Sequence, residues 1–167
     1  MTTPSELVQV RAYATEDARR TLEVFLDAVT TTASQDYSPA QIAAWSAPGE
    51  RDVGLWNLAR ARLGTVVAVV AGNVSGFSDV NADGYIDMMF VSPAHGRRGV
   101  ASALLCAVER RAKSLNTTTL STNASITARP FFERHGFVVE AKQHPVIRGV
   151  RMTNYRMLKR LSLDADR

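Results

Sequence analysis

A mixed, mostly antiparallel β-sheet with helices on both faces, an α/β (α+β) architecture, is what this 167-residue sequence predicts. Three observations carry that prediction. Apolar residues recur at helical spacing in separate segments, around 17–31, 38–46 and 99–114. Between the second and third of these lies a meander of β-branched, apolar segments, punctuated by the turn signals Ala71-Gly72-Asn73 and Asn81-Ala82-Asp83-Gly84. The meander runs straight into a strand–loop–helix junction over Met89–Leu105, and two further strands close the chain.

Taken in order, Val8-Gln9-Val10-Arg11 alternates and predicts the first strand. Thr15-Glu16-Asp17 supplies a hydroxyl cap and first-turn carboxylates. Leu22, Phe25, Leu26 and Val29 follow at helical spacing, so a helix is expected from Asp17 to about Thr31. Thr30 to Tyr37 is polar and reads as loop. Ser38-Pro39 opens a second helix, serine as cap and proline in the first turn, and Pro48-Gly49 breaks it. A short helical piece around Arg51–Arg60 carries Leu55, Trp56 and Leu58. Thr65–Val70, Val74–Val80 and Tyr85–Val91 form the antiparallel meander. Ser92-Pro93 stops its last strand, because proline has no N–H to give to a ladder. A helix from about Gly99 to Ser114, a strand at Thr118–Thr122 and a helix at Ile126–Arg134 follow, with Pro130 near the middle of the last one. Phe137–Ala141 and Arg151–Leu158 are the final strands, and the tail from Ser162 to Arg167 is expected to fray.

At this length one domain, residues 1–167, is expected, with a core large enough to need no staples. The single cysteine, Cys106, excludes an internal disulfide framework and fits a reducing, cytoplasmic setting; beside Leu105 and Ala107 it reads as a buried structural thiol. The start Met1–Glu6 shows no secretory signal, and no apolar run reaches the roughly 18 residues of a membrane span. A net charge of +4 favours anionic ligands in general, but no basic stripe interleaved with aromatics points to nucleic acid. His95, His135 and His144 lack metal-ligand spacing, so no metal is expected.

Gly96-Arg97-Arg98-Gly99 lies between the strand and the helix of the central junction. Glycines let backbone N–H groups approach a ligand, and arginines add permanent charge. The first turn of a helix presents unpaired N–H donors at the positive end of its dipole. This is the chemistry of a phosphate cradle; turn geometry and solubility are the other uses of such residues. Neither the P-loop nor the dinucleotide-binding glycine pattern follows the strand.

These residues resemble motif A of the GNAT acetyltransferase superfamily, Gln/Arg-x-x-Gly-x-Gly/Ala. The pattern falls on Gly96-Arg97-Arg98-Gly99-Val100-Ala101, with glycine where Gln or Arg is usual. Ala128-Arg129-Pro130-Phe131-Phe132-Glu133-Arg134-His135-Gly136-Phe137 is similar to the family's late helix-to-strand segment, and Tyr37–Trp45 resembles a bacterial subgroup with no assigned substrate. The resemblance implies a splayed pair of strands that admits the pantetheine arm of acetyl-CoA. It implies an N-acetyltransferase that uses acetyl-CoA and releases CoA. The acceptor would be a primary amine of a small molecule or peptide, attacking directly in a ternary complex, and homodimers are common in the family.

Site residues follow by resemblance. Gly96, Arg97, Arg98, Gly99, Val100, Ala101 and Ser102 would hold the cofactor's pyrophosphate. Phe90, Val91, Ser125, Phe131 and Phe132 would line the rest, and Ser125 stands where the family often has Asn. A backbone N–H of Phe90 or Val91 would polarise the acyl carbonyl. Asp87 is the base candidate. Strand alternation puts it on one face with Tyr85 and Met89, and an acidic group in an apolar strand needs a partner or a function. Its alternatives are half-exposure or an ion pair with an arginine. The family's usual acid is a tyrosine, and the matching position is Phe132, which has no proton to give. Tyr155 and Tyr85 are the hydroxyls that could substitute, Tyr155 otherwise serving as a cross-strand packing residue. Asp36, Tyr37, Trp45 and Tyr85 are candidates for acceptor contact, against the plainer role of Trp45 and Trp56 as core anchors. The departures at Gly96 and Phe132 leave a second reading, a non-catalytic acyl-CoA-binding or sensing domain.

Overall fold

The structure is a computed structural model that describes residues 7–162. The polar start at Met1–Glu6 and all of the predicted frayed tail beyond Ser162 lie outside the described residues. Ten strands are described: β1 (Val8–Ala12), β2 (Val66–Val70), β3 (Asn73–Ser78), β4 (Tyr85–Ile86), β5 (Met89–Val91), β6 (Thr119–Ser125), β7 (Val138–Gln143), β8 (Val146–Ile147), β9 (Val150–Arg151) and β10 (Asn154–Arg160). The α-helices are α1 (Ala18–Asp27), α2 (Pro39–Ser46), α3 (Val53–Arg62), α4 (Val100–Ser114) and α5 (Arg129–Arg134).

The apolar run at 85–91, which reads as one strand in the sequence, is two. β5 joins an antiparallel sheet of order β1-β2-β3-β5, and β4 lies parallel to β6 in a second sheet of order β4-β6-β10-β7. The reason is local. At the break, Asp87 N and Met88 N both donate to Asp79 Oδ1, at 2.8 and 3.3 Å. A side-chain carboxylate has taken the place of a ladder partner, so the chain can leave one sheet and enter the other without orphaned amides. The expected mixed, mostly antiparallel sheet is present, divided at this point.

Alternation along β2 sorts the first sheet's faces. Val67 packs with Leu22, Phe25 and Trp56 of α1 and α3, whereas Ala68 and Val70 pack with Val100 and Leu104 of α4. Helices therefore cover both faces, as expected. Further along α4, Leu105, Val108 and Ala112 pack against Leu120, Ala124 and Met157 of the second sheet. One helix thus spans both sheets through two stripes of its surface.

Several boundaries differ from the expectation. α1 ends at Asp27, and Ala28–Thr32 continues as a single wider π-type turn. Pro130 sits in the first turn of α5 rather than at its middle, because the helix begins at Arg129; there its missing N–H has no partner to lose. Residues 126–128 are a turn instead, in which Ser125 Oγ accepts from Ala128 N. The strand expected at Arg151–Leu158 is replaced by a small ribbon, β8–β9, and by β10. Cys106 is exposed, not buried, since it falls on the face of α4 opposite the two apolar stripes. The serine cap of α2 is as expected: Ser38 Oγ accepts from Gln41 N at 3.2 Å, and Gln41 Oε1 accepts from Ser38 N at 2.9 Å. Among the described residues, no helix is long and apolar enough to cross a membrane.

Candidate active site

The gap between β5 and β6 is the centre of the site. Ser92 N donates to Ser75 O at 2.8 Å, and Phe90 is paired with Phe77. Alternate residues of an antiparallel strand turn their amides to opposite sides. Phe90 and Ser92 therefore spend theirs on β3, and the amides of Met89 and Val91 face the open edge. Of the two backbone donors considered from sequence, Val91 is the one left free by the ladder.

Two cavities meet at this gap. The larger, of about 290 Å³, includes Asp87, Asn154, Arg51 and Arg148 in its wall. The smaller, of about 220 Å³, reaches Val91, Phe131 and Ala101 at the first turn of α4. Trp45, Phe90, Ser125 and Phe132 line both, so they mark the junction. The wide turn at Ala28–Thr32 contributes Ala28 and Thr32 to the smaller cavity's wall.

At the α4 end, the loop has the form expected of an anion cradle. Arg97 and Gly99 both have positive φ, +61 and +78°. Gly99 is the N-cap, with no side chain bonding the first turn, so the amides of Val100, Ala101 and Ser102 have no intrahelical acceptor. A Cβ at Gly99 would meet nothing within 4 Å, and one at Gly96 would meet only Pro93 O at 3.7 Å. The loop is thus open rather than packed shut, and Gly96 is not demanded by crowding. Arg97 and Arg98 are exposed and make no ion pair among the described residues. Ser102 Oγ lies 3.2 Å from His135 Nε2, and His135 Nδ1 lies 2.9 Å from Phe131 O, which ties the end of α5 to the start of α4. Diphosphate-like groups fit this loop: unpaired amides, uncompensated arginines and open space coincide.

Asp87 lies at the strand break, in the wall of the larger cavity. Its side chain is 42% exposed, and Oδ2 is 3.6 Å from Arg60 Nη2. Behind it lies a pair that the sequence did not single out. Arg60 and Asp79 are both buried and bond at 2.9 Å through Nη1 and Oδ2. Arg60 also lies over the Trp56 ring, 5.0 Å from its centroid. Burial pushes the Asp79 carboxyl up to about 6, against the opposing pull of the Asp87 amide and of Arg60. Asp79 was hidden in sequence because its partners come from elsewhere in the chain: Arg60 lies 19 residues before it and the Asp87 amide eight after, so nothing local marks it within the expected strand Val74–Val80.

The other candidates divide. Tyr37 is buried, and its hydroxyl donates to Thr153 O at 2.6 Å and accepts from Ile126 N at 2.9 Å. Burial raises its pKa, with the Ile126 amide opposing. It shapes the cavity as a clasp between segments, with Trp45 edge-on at 5.4 Å. Trp45 is half-buried and reaches the junction, while Trp56 is the core anchor, donating to Thr21 Oγ1 at 2.9 Å. Asp36 is exposed and accepts from Thr127 Oγ1, outside both cavity walls. Tyr85 bonds Asn123 at 3.2 Å and also lies outside them; burial raises its pKa. Tyr155 packs beside the core of the second sheet under the Arg129 guanidinium, 4.5 Å from its ring centroid, and is absent from both walls. Phe132 is buried at the junction against Phe131 and Phe137.

Known proteins resemble this chain throughout its length. The acetyltransferase (GNAT) domain family matches residues 33–159. An uncharacterised N-acetyltransferase of Escherichia coli K12, YafP, is 41% identical over 150 residues, covering 90% of this chain and 94% of that protein. A crystal structure of a GCN5-related N-acetyltransferase from Rhodopseudomonas palustris superposes with a TM-score of 0.88 at 29% identity, covering 96% of this chain and 98% of that one. The PaiA N-acetyltransferase of Thermoplasma acidophilum, solved with coenzyme A, shares the fold with a TM-score of 0.75 at 17% identity, covering 93% and 99%. The family match spans most of the chain and the E. coli relative nearly all of it, so this protein belongs to the GNAT acetyltransferase family.

Proposed function

We propose that this protein is an N-acetyltransferase that uses acetyl-CoA and passes the acetyl group directly to a primary amine in a ternary complex. The observation that carries the reading is the gap between β5 and β6, with free helix amides at one end and a carboxylate-bearing cavity at the other. Acetyl-CoA supplies the activated acyl thioester. The loop Gly96–Ser102 would bind the diphosphate through backbone amides, with Arg97 and Arg98 adding charge. The smaller cavity, lined by Ala128, Phe131 and Phe132, would exclude water from the pantetheine arm. Val91 N–H faces the gap and would polarise the acyl carbonyl, a contribution worth about 3 kcal/mol for one well-placed donor. Asp87 would take the ammonium proton, directly or through water. Its half-exposure keeps it wet enough to pass that proton on to solvent.

Ser125 Oγ lies at the junction of the cavities, accepts from Ala128 N, and donates to no protein acceptor among the described residues. Its hydrogen bond, or one from water, would serve the departing thiolate in place of the family's tyrosine. Tyr155, set away from both cavity walls, is a packing residue in this reading. A cavity of about 290 Å³ suits a small molecule or one residue of a peptide as acceptor. The lone cysteine fits a cytoplasmic setting.

Isothermal titration with acetyl-CoA, CoA and ATP, followed by turnover on an amine panel, tests the proposal. Selective binding of the CoA compounds with turnover supports it. The apolar Phe132 ring at the junction favours one other reading, a domain that binds acyl-CoA without turning it over; binding without turnover on any amine would select that one.

A further inference from the structure

The larger cavity carries two guanidinium groups that the acetyl transfer does not use. Arg51 Nε donates to Ser46 O at 3.0 Å and Nη2 to Trp45 O at 2.8 Å, with the head group 4.7 Å from the Phe25 ring centroid. Arg148 Nη1 donates to Ala44 O at 2.9 Å and Nε to Glu50 Oε2 at 2.6 Å. Both therefore cap carbonyls at the end of α2, where the helix dipole favours cations. These bonds fix the two head groups in place. They leave Arg51 Nη1 and Arg148 Nη2 with no acceptor among the described residues, in side chains that line the same cavity.

Two further observations show that this pairing is more than a helix cap. The two charges oppose each other: burial first, and then the charge of Arg148, lower the pKa of Arg51, with Glu50 pulling the other way. The neighbouring carboxylate, Glu50, is 67% exposed, takes only the Nε edge of Arg148, and is not in the cavity wall. Second, Arg148 holds a left-handed backbone, φ +46°, beside Gly149 at +78°, in the two-residue turn between β8 and β9. Such turns favour Asn-Gly because both central residues need positive φ. An arginine there costs roughly 1 kcal/mol, and the turn holds its side chain against the end of α2 and the cavity wall.

Asp87 is the remaining charged group in the wall. The cavity thus offers one carboxylate and two guanidinium edges, the complement of a molecule with an ammonium group and an oxyanion. We propose that the acceptor is a small amine that also bears an oxyanion, a carboxylate or a phosphate, seated between Arg51 and Arg148. This rests on the acetyltransferase reading above. Paired guanidiniums suit planar or tetrahedral oxyanions because each offers N–H donors in a fixed fork.

The test uses the full chain with acetyl-CoA and matched amines: amino acids, their amides, their decarboxylated counterparts, and O-phosphoethanolamine beside ethanolamine. The oxyanion-bearing member of a matched set should show kcat/KM at least tenfold higher than its neutral partner. Preference for the amino acid over its amide identifies a carboxylate; preference for O-phosphoethanolamine identifies a phosphate. The ratio should fall to about one in Arg51→Gln and in Arg148→Gly, the second of which suits the turn's backbone and so keeps the fold. Equal rates on charged and neutral partners, or a ratio that survives both substitutions, would overturn the proposal. If no amine turns over, the acetyltransferase reading is what fails, and the anion site is read by binding alone. N-acetylalanine should then bind at least tenfold more tightly than its amide, or N-acetyl-O-phosphoethanolamine than N-acetylethanolamine, and Arg148→Gly should abolish the difference; no preference in either pair in the wild type would overturn the site.

Discussion

Asp87 and Asp79 lie eight residues apart and do opposite things with the same functional group. Asp87 stands half-exposed in the cavity wall, and replacing it by Asn should lower kcat by about 10²-fold or more while acetyl-CoA affinity changes little. Rapid kinetics alongside titration checks this, and an Asn variant that is fully active at all pH values removes Asp87 as the base. Asp79 is buried and titrates at about 6, against 3.8 for an ordinary aspartate. Between those values the folded chain keeps a proton that the unfolded chain has released. The stability from this group is therefore fully present below pH about 4 and is lost as pH rises through about 6. Urea unfolding should show the wild type losing ground to Asp79→Asn across that window; a flat or growing difference contradicts it. Asp17 runs the other way: its bond to Arg11 lowers its pKa, so its contribution is present above pH 3.8 and disappears in stronger acid. Tyr37→Phe deletes a hydroxyl that serves both Thr153 O and Ile126 N, and should destabilise by about 1–3 kcal/mol, read from the denaturation midpoint.

At the level of elements, the junction from β5 into α4 was the most legible part of the chain. A proline stop, a Gly-Arg loop and helical periodicity fall within one short stretch, so local chemistry suffices to read it. Arg98→Glu sets a negative charge against the proposed diphosphate site, and should raise the acetyl-CoA Kd about tenfold, less so at high salt. Titration at two ionic strengths measures it, and an unchanged Kd would remove the loop from the cofactor site. The division of the 85–91 run was not legible. Hydrophobic periodicity reports that a segment is extended but not which neighbour it pairs with, and the partner switch depends on Asp79 from another segment. Pro130 was misplaced for a related reason: Ile126 and Ala128 extend the apolar pattern back from Phe131 and Phe132, and only the turn at Ser125–Ala128 shows that the helix has not begun. Arg51 and Arg148 are 97 positions apart in the chain and share a cavity only after folding, so no local pattern could join them.

In the whole molecule, two sheets part at the proposed cofactor gap and are bridged by α4. A ligand lying in that gap touches both, so acetyl-CoA at about 100 times its Kd should stabilise the fold by about 2.7 kcal/mol. Hydrogen exchange should slow at Val91 and along β6 together; protection confined to one sheet would place the ligand elsewhere. The sequence conveyed the class of this architecture and the cradle, because both follow from periodicity and local turns. Of the proposed acceptor side it offered Tyr37, Trp45 and Asp87, which line the larger cavity, but not Arg51 and Arg148, because that wall is assembled from α2, the strand break and the β8–β9 ribbon. That ribbon pairs with neither large sheet, yet it carries Arg148 into the cavity. Residues there can be exchanged without disturbing the ladders of the two large sheets that flank the proposed cofactor gap. On the proposed reading, a few turn residues could then retune which molecule is modified while the machinery that delivers the acyl group stays as it is.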